Sequence, residues 1–205
     1  MKIHFKKSNN RISYAISSSE KDFESIYQDV LSISKSLDSI DNKYLNFKSI
    51  VLKDENHYVV PSVTIPKSIK NIYSKYSDID KIEYDSIISK LETSPIEYLI
   101  DKYDLIKDFY GIEKKISIND FMAIEKYIET NEKYSLYNEL AKVSSEFYSE
   151  TILPSYYKAR YFEESGKPEK AMLIYRSAYN MKEVQGLTKD YLLKLADQIQ
   201  SDFNL

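Results

Sequence analysis

At 205 residues, 42% of them apolar and 14% aromatic, the chain is long and apolar enough to bury one or two cores, which excludes disorder as a description of its bulk. Its 29 basic and 32 acidic residues leave a net charge of -3 with no long block of one sign, so no nucleic-acid partner is expected. Cysteine is absent and only His4 and His57 are present, which excludes disulfides, thiolate chemistry and zinc sites built from cysteine or several histidines.

Met1 to Glu20 contains four basic residues but no apolar run of signal-peptide length, and no later stretch approaches a membrane span, so a cytoplasmic protein without a membrane segment is expected. Only Gly111, Gly166 and Gly186 occur. Three scattered glycines cannot write a phosphate-binding loop, a dinucleotide fingerprint or a G-x-S-x-G nucleophile elbow, and no cofactor is expected. The 20 tyrosines, without a basic stripe beside them, are expected in packing rather than in chemistry.

Along the chain, Arg11 to Ser17 alternates Ile12, Tyr14 and Ile16 on one face, and Phe47 to Leu52 is a second β-rich run; both predict strands. Between them Phe23, Ile26, Tyr27, Val30, Leu31 and Ser34 recur at helical spacing. Strand, helix and strand over roughly 40 residues make a βαβ unit, which predicts parallel strands. After Pro66 the pattern is helical. Ser94, Pro95 and Glu97 open a helix as cap, first-turn proline and capping acid, and Gly111 closes it. Further helices are expected over 118–130 after the cap Ser117, and over 134–148, 155–165, 168–181 and 188–202, with short connections.

The predicted fold class is therefore a small α/β part, residues 1–80, followed by an all-α domain, residues 81–205, mostly helical overall. Two parallel strands alone leave free edges and too little cover. The sheet is expected to be completed by missing N-terminal sequence or by self-association.

Two candidate site segments follow the two predicted strands, where open α/β sheets place functional groups. The second holds Asp54-Glu55-Asn56-His57-Tyr58; the first holds Ser17-Ser18-Ser19-Glu20-Lys21-Asp22. Each has an ordinary structural explanation, His57 as a polar loop histidine and Ser19 with Asp22 as a helix start. Together, a carboxylate after one strand and a histidine after the next are the last two members of a hydrolase triad in chain order.

The stretch DENHYVVPSVTIPKSIKNIYSKY, residues 54–76, resembles the histidine loop and last helix of the enterochelin-esterase-like α/β hydrolases of Bacteroidetes. SPIEYLIDKYDLIKDFYG and INDFMAIEKYIETNEKY are similar to the helical tail of that group. The resemblance implies carboxylic-ester hydrolysis in the parent family, with His57 as general base and Glu20, or less favourably Asp22, as the acid that orients it. The serine elbow and oxyanion-hole loop of the family are absent from this sequence, which implies a chain inactive by itself.

The tail also has its own pattern. Ala159, Phe162, Gly166, Ala171, Tyr175 and Ala178 follow tetratricopeptide spacing, Leu136 to Phe147 matches loosely, and Tyr191, Leu192, Leu195 and Ile199 suggest a capping helix. The alternative to the esterase expectation is thus a helical protein-interaction module, with a peptide on its concave face, or a tail that is purely structural.

Overall fold

The computed structural model describes residues 2–205, with side chains from residue 5 onward; the side chain of His4 lies outside the described residues. The protein is mostly helical, 64% by residue, with a two-stranded parallel sheet and ten helices among the described residues. It divides into two compact units, Met1–Ser77 with Leu105–Ile112, and Asp78–Asp104 with Glu113–Leu205.

The first unit begins with helix α1 (Lys2–Lys7), then β1 (Ile12–Lys21), α2 (Glu24–Asp38), β2 (Leu45–Asn56) and α3 (Val60–Ile72). β1 and β2 run parallel, with Ile12 opposite Leu45 and, six pairs further on, Ser18 opposite Val51 and Ser19 opposite Leu52. Side chains alternate across the strands, so each face is read from its contacts. On one face Ser49 meets Ser34 of α2, hydroxyl to hydroxyl at 2.6 Å. On the other, Ser17 meets Thr64 of α3 at 3.0 Å, and the Asn46 amide donates to the Asn71 carbonyl of α3 at 2.9 Å. Helices therefore cover both faces, as parallel strands require. The apolar core between the layers is small: Leu37, Ile50 and Val60 are buried, whereas Leu31, Val51, Ile65 and Ile69 are exposed. Among the described residues β1 and β2 pair only with each other, and each keeps a free edge.

The second unit contains α4 (Lys81–Ser86), the part of α5 (Pro95–Tyr110) up to Asp104, α6 (Ile118–Thr130), α7 (Tyr137–Tyr148), α8 (Ile152–Glu164), α9 (Pro168–Ser177) and α10 (Lys189–Phe203). Local chemistry fixes the starts. Ser117 Oγ accepts from the Asp120 amide at 3.1 Å, Ser94 Oγ from the Ile96 and Glu97 amides at 3.3 and 3.4 Å, and Thr188 Oγ1 from the Tyr191 amide at 3.2 Å. From α7 onward each helix packs on the next. Ala159, Ala171 and Ala178, all fully buried, allow close approach in this stack, and Tyr137, Tyr157 and Tyr175 fill it. Each of those tyrosines donates its hydroxyl to a glutamate: Tyr137 to Glu129, Tyr157 to Glu125 and Tyr175 to Glu163. A buried phenol needs such an acceptor. No helix among the described residues is long and apolar enough to cross a membrane.

The elements differ from expectation mainly at their ends. β1 runs to Lys21 rather than Ser17, and β2 to Asn56 rather than Leu52. α3 begins at Val60 and carries Pro66 within it. α8 begins at Ile152, not Ser155, because Thr151 caps it through the Leu153 amide at 3.4 Å.

Candidate functional site

The two parallel strands end at the same side of the sheet, so the turns that follow them are neighbours. An irregularity in the register decides which residues meet. Ser19 lies opposite Leu52, but Lys21 lies opposite Asn56, so β2 takes up extra residues at its end. That shift sets the residues just after Lys21 and Asn56 side by side. They are Asp22 and His57.

His57 Nδ1 and Asp22 Oδ1 are 2.7 Å apart. Local bonds hold both partners. Asn56 Oδ1 accepts from the Tyr58 amide at 3.0 Å and its carbonyl from the Val59 amide at 3.0 Å, a turn that presents His57. The Asp22 amide donates to the Ser19 carbonyl at 3.0 Å. Asp22 Oδ2 accepts from Ser18 Oγ at 2.9 Å, and Oδ1 also accepts from the Phe23 amide at 2.8 Å. The Asp22 side chain is only 2% exposed. Desolvation pushes its carboxyl pKa up, but the bonds from Ser18, His57 and the Phe23 amide, with the charge of His57, outweigh it and hold the group below the usual aspartate value.

The imidazole is 41% exposed, and Phe23 and Tyr58 flank it at ring-centroid distances of 5.0 and 5.4 Å. Its Nε2 makes no hydrogen bond with a described residue. A carboxylate on Nδ1 fixes the tautomer in which Nε2 carries the lone pair, which is the form that abstracts a proton. The pair is thus an imidazole with one ring nitrogen held by a carboxylate and the other open. Ser18 is fully buried and donates its hydroxyl to Asp22, supporting the carboxylate.

Of the two acids weighed in the sequence, the structure brings only Asp22 to His57. Glu20, favoured from the resemblance, lies exposed within β1 and makes no contact with the imidazole. Because β1 extends to Lys21, Glu20 is a strand residue and the turn falls at Asp22. Nor is Asp22 a capping residue: α2 starts at Glu24 after Phe23, with no side-chain cap. Ser18 was not singled out in the sequence, although three serines closing a strand were visible there.

No protein-family model matches the chain, and no curated protein matches it. A solved structure does. The crystal structure of an uncharacterised protein from Capnocytophaga ochracea DSM 7271 matches 98% of this chain with a TM-score of 0.77 at 22% identity. The match covers 56% of that protein, so the chain spans little more than half its length. At this identity the likeness is one of fold. Among the described residues no cluster of His, Cys, Asp and Glu is arranged to hold a metal ion.

Proposed function

We propose that Asp22 and His57 are the acid and base of a serine-hydrolase triad of the kind found in the esterase-like α/β hydrolases this sequence resembles. The observation that carries it is the 2.7 Å contact between a covered carboxylate and His57 Nδ1 at the ends of adjacent parallel strands. In that chemistry Nε2 takes the proton of a serine hydroxyl as the oxygen attacks an ester carbonyl, then delivers it to the departing alcohol, leaving an acyl-enzyme for water to cleave. Asp22 orients the ring and balances the imidazolium.

The nucleophile and the oxyanion donors come from outside these 205 residues, on strands that extend the β1–β2 sheet through a free edge. Two features support this. The sequence contains no G-x-S-x-G segment, and the solved Capnocytophaga fold belongs to a longer chain. The test is labelling with a serine-directed fluorophosphonate. The 205-residue chain remains unlabelled under this proposal, and stoichiometric labelling of one of its own serines refutes it.

The successive packing of α7, α8, α9 and α10 supports a second reading, a tetratricopeptide-like module that binds a protein partner. Under it, Asp22→Asn leaves function intact while substitutions on the helical stack abolish partner binding.

A further inference from the structure

Within the helical unit, α6, α8, the turn Val184–Leu187 and the start of α10 enclose a cavity of about 220 Å³. Pockets for drug-sized ligands measure about 300–1,000 Å³, so this smaller space suits a small group. The turn is closed by the Leu187 amide donating to the Val184 carbonyl at 3.1 Å, with Gly186 at φ +81°. A side chain in that left-handed position is strained, and a Cβ there would lie 3.5 Å from the end of Met122. Met122, Leu153 and Leu187 give the cavity apolar walls, and the rings of Tyr156 and Tyr191 lie beside each other at a tilt of 48°, with centroids 6.4 Å apart.

One wall is a carboxylate, Glu125. Its oxygens accept from Tyr156 Oη at 2.6 Å and Tyr157 Oη at 3.4 Å, both neutral donors. The nearby cation, Arg160, is already shared among Glu129, Glu163 and Glu164 at 3.2, 3.3 and 3.2 Å. Glu125 makes no ion pair among the described residues. A half-buried carboxylate whose direct partners are neutral hydroxyls, with the nearby Arg160 bonded to three other glutamates, lies beside aromatic faces and an apolar slot and is complementary to a cation on a short alkyl chain.

We propose that this cavity binds a primary alkylammonium group, carried by a small amine or by a lysine side chain. The ammonium sits against Glu125 beside the rings of Tyr156 and Tyr191, and the alkyl chain lies along Met122, Leu153 and Leu187. The site does not depend on the hydrolase proposal.

The chain has four methionines, so the ε-methyl signal of Met122 is a resolvable NMR probe. Titration with n-butylammonium shifts that signal saturably, and 1-butanol, the neutral analogue, binds at least tenfold more weakly. Glu125→Gln removes the preference for the amine. Tyr191→Ala, at an exposed position, weakens the amine at least threefold in a folded protein. Acetyl-Gly-Lys-Gly-amide against its norleucine counterpart separates the sources: tighter binding of the lysine peptide than of n-butylammonium assigns the site to a protein side chain, and the reverse assigns it to a free amine. Equal binding of amine and alcohol, an unchanged preference in Glu125→Gln, or an unmoved Met122 signal overturns the proposal.

Discussion

His57 and Asp22 are 35 residues apart in sequence and 2.7 Å apart through Nδ1 and Oδ1, with the carboxylate covered and the far side of the ring open. A carboxylate in this place selects the tautomer protonated on Nδ1 whenever the imidazole is neutral. Nitrogen-15 NMR of labelled histidine is expected to show Nε2 as the unprotonated nitrogen. In Asp22→Asn that preference is lost and the two tautomers mix. An unchanged tautomer in the variant would show that Asp22 does not set the ring.

Asp22 also makes the α/β unit sensitive to acid. Its folded pKa lies below its ordinary value of 3.8, so the stability it contributes is present above about pH 4 and is lost as pH falls through the lowered folded value. The groups facing it are His57, the Ser18 hydroxyl and the Phe23 amide. Asp22→Asn and Ser18→Ala are expected to flatten the acid limb of unfolding below pH 4. Circular dichroism against pH measures it.

Asp120 anchors the beginning of the helical unit. Fully buried, it accepts from the Ile79 amide at 2.7 Å and from Tyr103 Oη at 2.8 Å, and Tyr103 Oη in turn accepts from the Ser117 amide at 2.8 Å. Tyr103→Phe deletes one hydroxyl and leaves the buried Asp120 carboxylate and the part-buried Ser117 amide each short of a partner. A loss of about 1–3 kcal/mol in urea unfolding is expected, with little change in secondary structure.

How much of this could be read in the sequence depends on whether the signal is local. Ser117 with Asp120, and Ser94 with Pro95 and Glu97, are capping patterns contained within four residues, and the helices start where those patterns put them. The strand-helix-strand order follows from periodicity. The carboxylate that meets His57 does not, because choosing between Glu20 and Asp22 requires the pairing of Lys21 with Asn56, a register set by contacts across the sheet. The start of α8 was within reach, since Thr151 ahead of Pro154 is a cap followed by a first-turn proline. The cavity was not, because Met122, Leu153, Leu187 and Tyr191 come together only through tertiary packing. Glu125, one turn from the buried Phe121 and next to the buried Ile124, was its one visible trace.

Glu125 makes an opposite pH prediction to Asp22. Desolvation raises its carboxyl pKa above the ordinary 4.5; Tyr156, Tyr157 and Arg160 lower it, and Glu129 raises it further. A raised acid costs stability once it ionises, so the helical unit is expected to lose stability as pH rises from about 4.5 through the folded value. Glu125→Gln removes that loss and is expected to raise the melting temperature at pH 7, measured by thermal unfolding. A lower melting temperature in the variant would mean that the carboxylate's bonds to the tyrosines outweigh its desolvation.

The most direct measurement is the cleavage of p-nitrophenyl butyrate by the chain, by His57→Ala and by Asp22→Asn. If His57 is the base of a triad whose nucleophile lies elsewhere, the chain shows no burst and only a slow, non-saturating release of nitrophenolate that His57→Ala removes and Asp22→Asn reduces. A burst with saturation, or release unaffected by His57→Ala, would contradict the assignment of Asp22 and His57 as the acid and base of a triad whose nucleophile lies elsewhere.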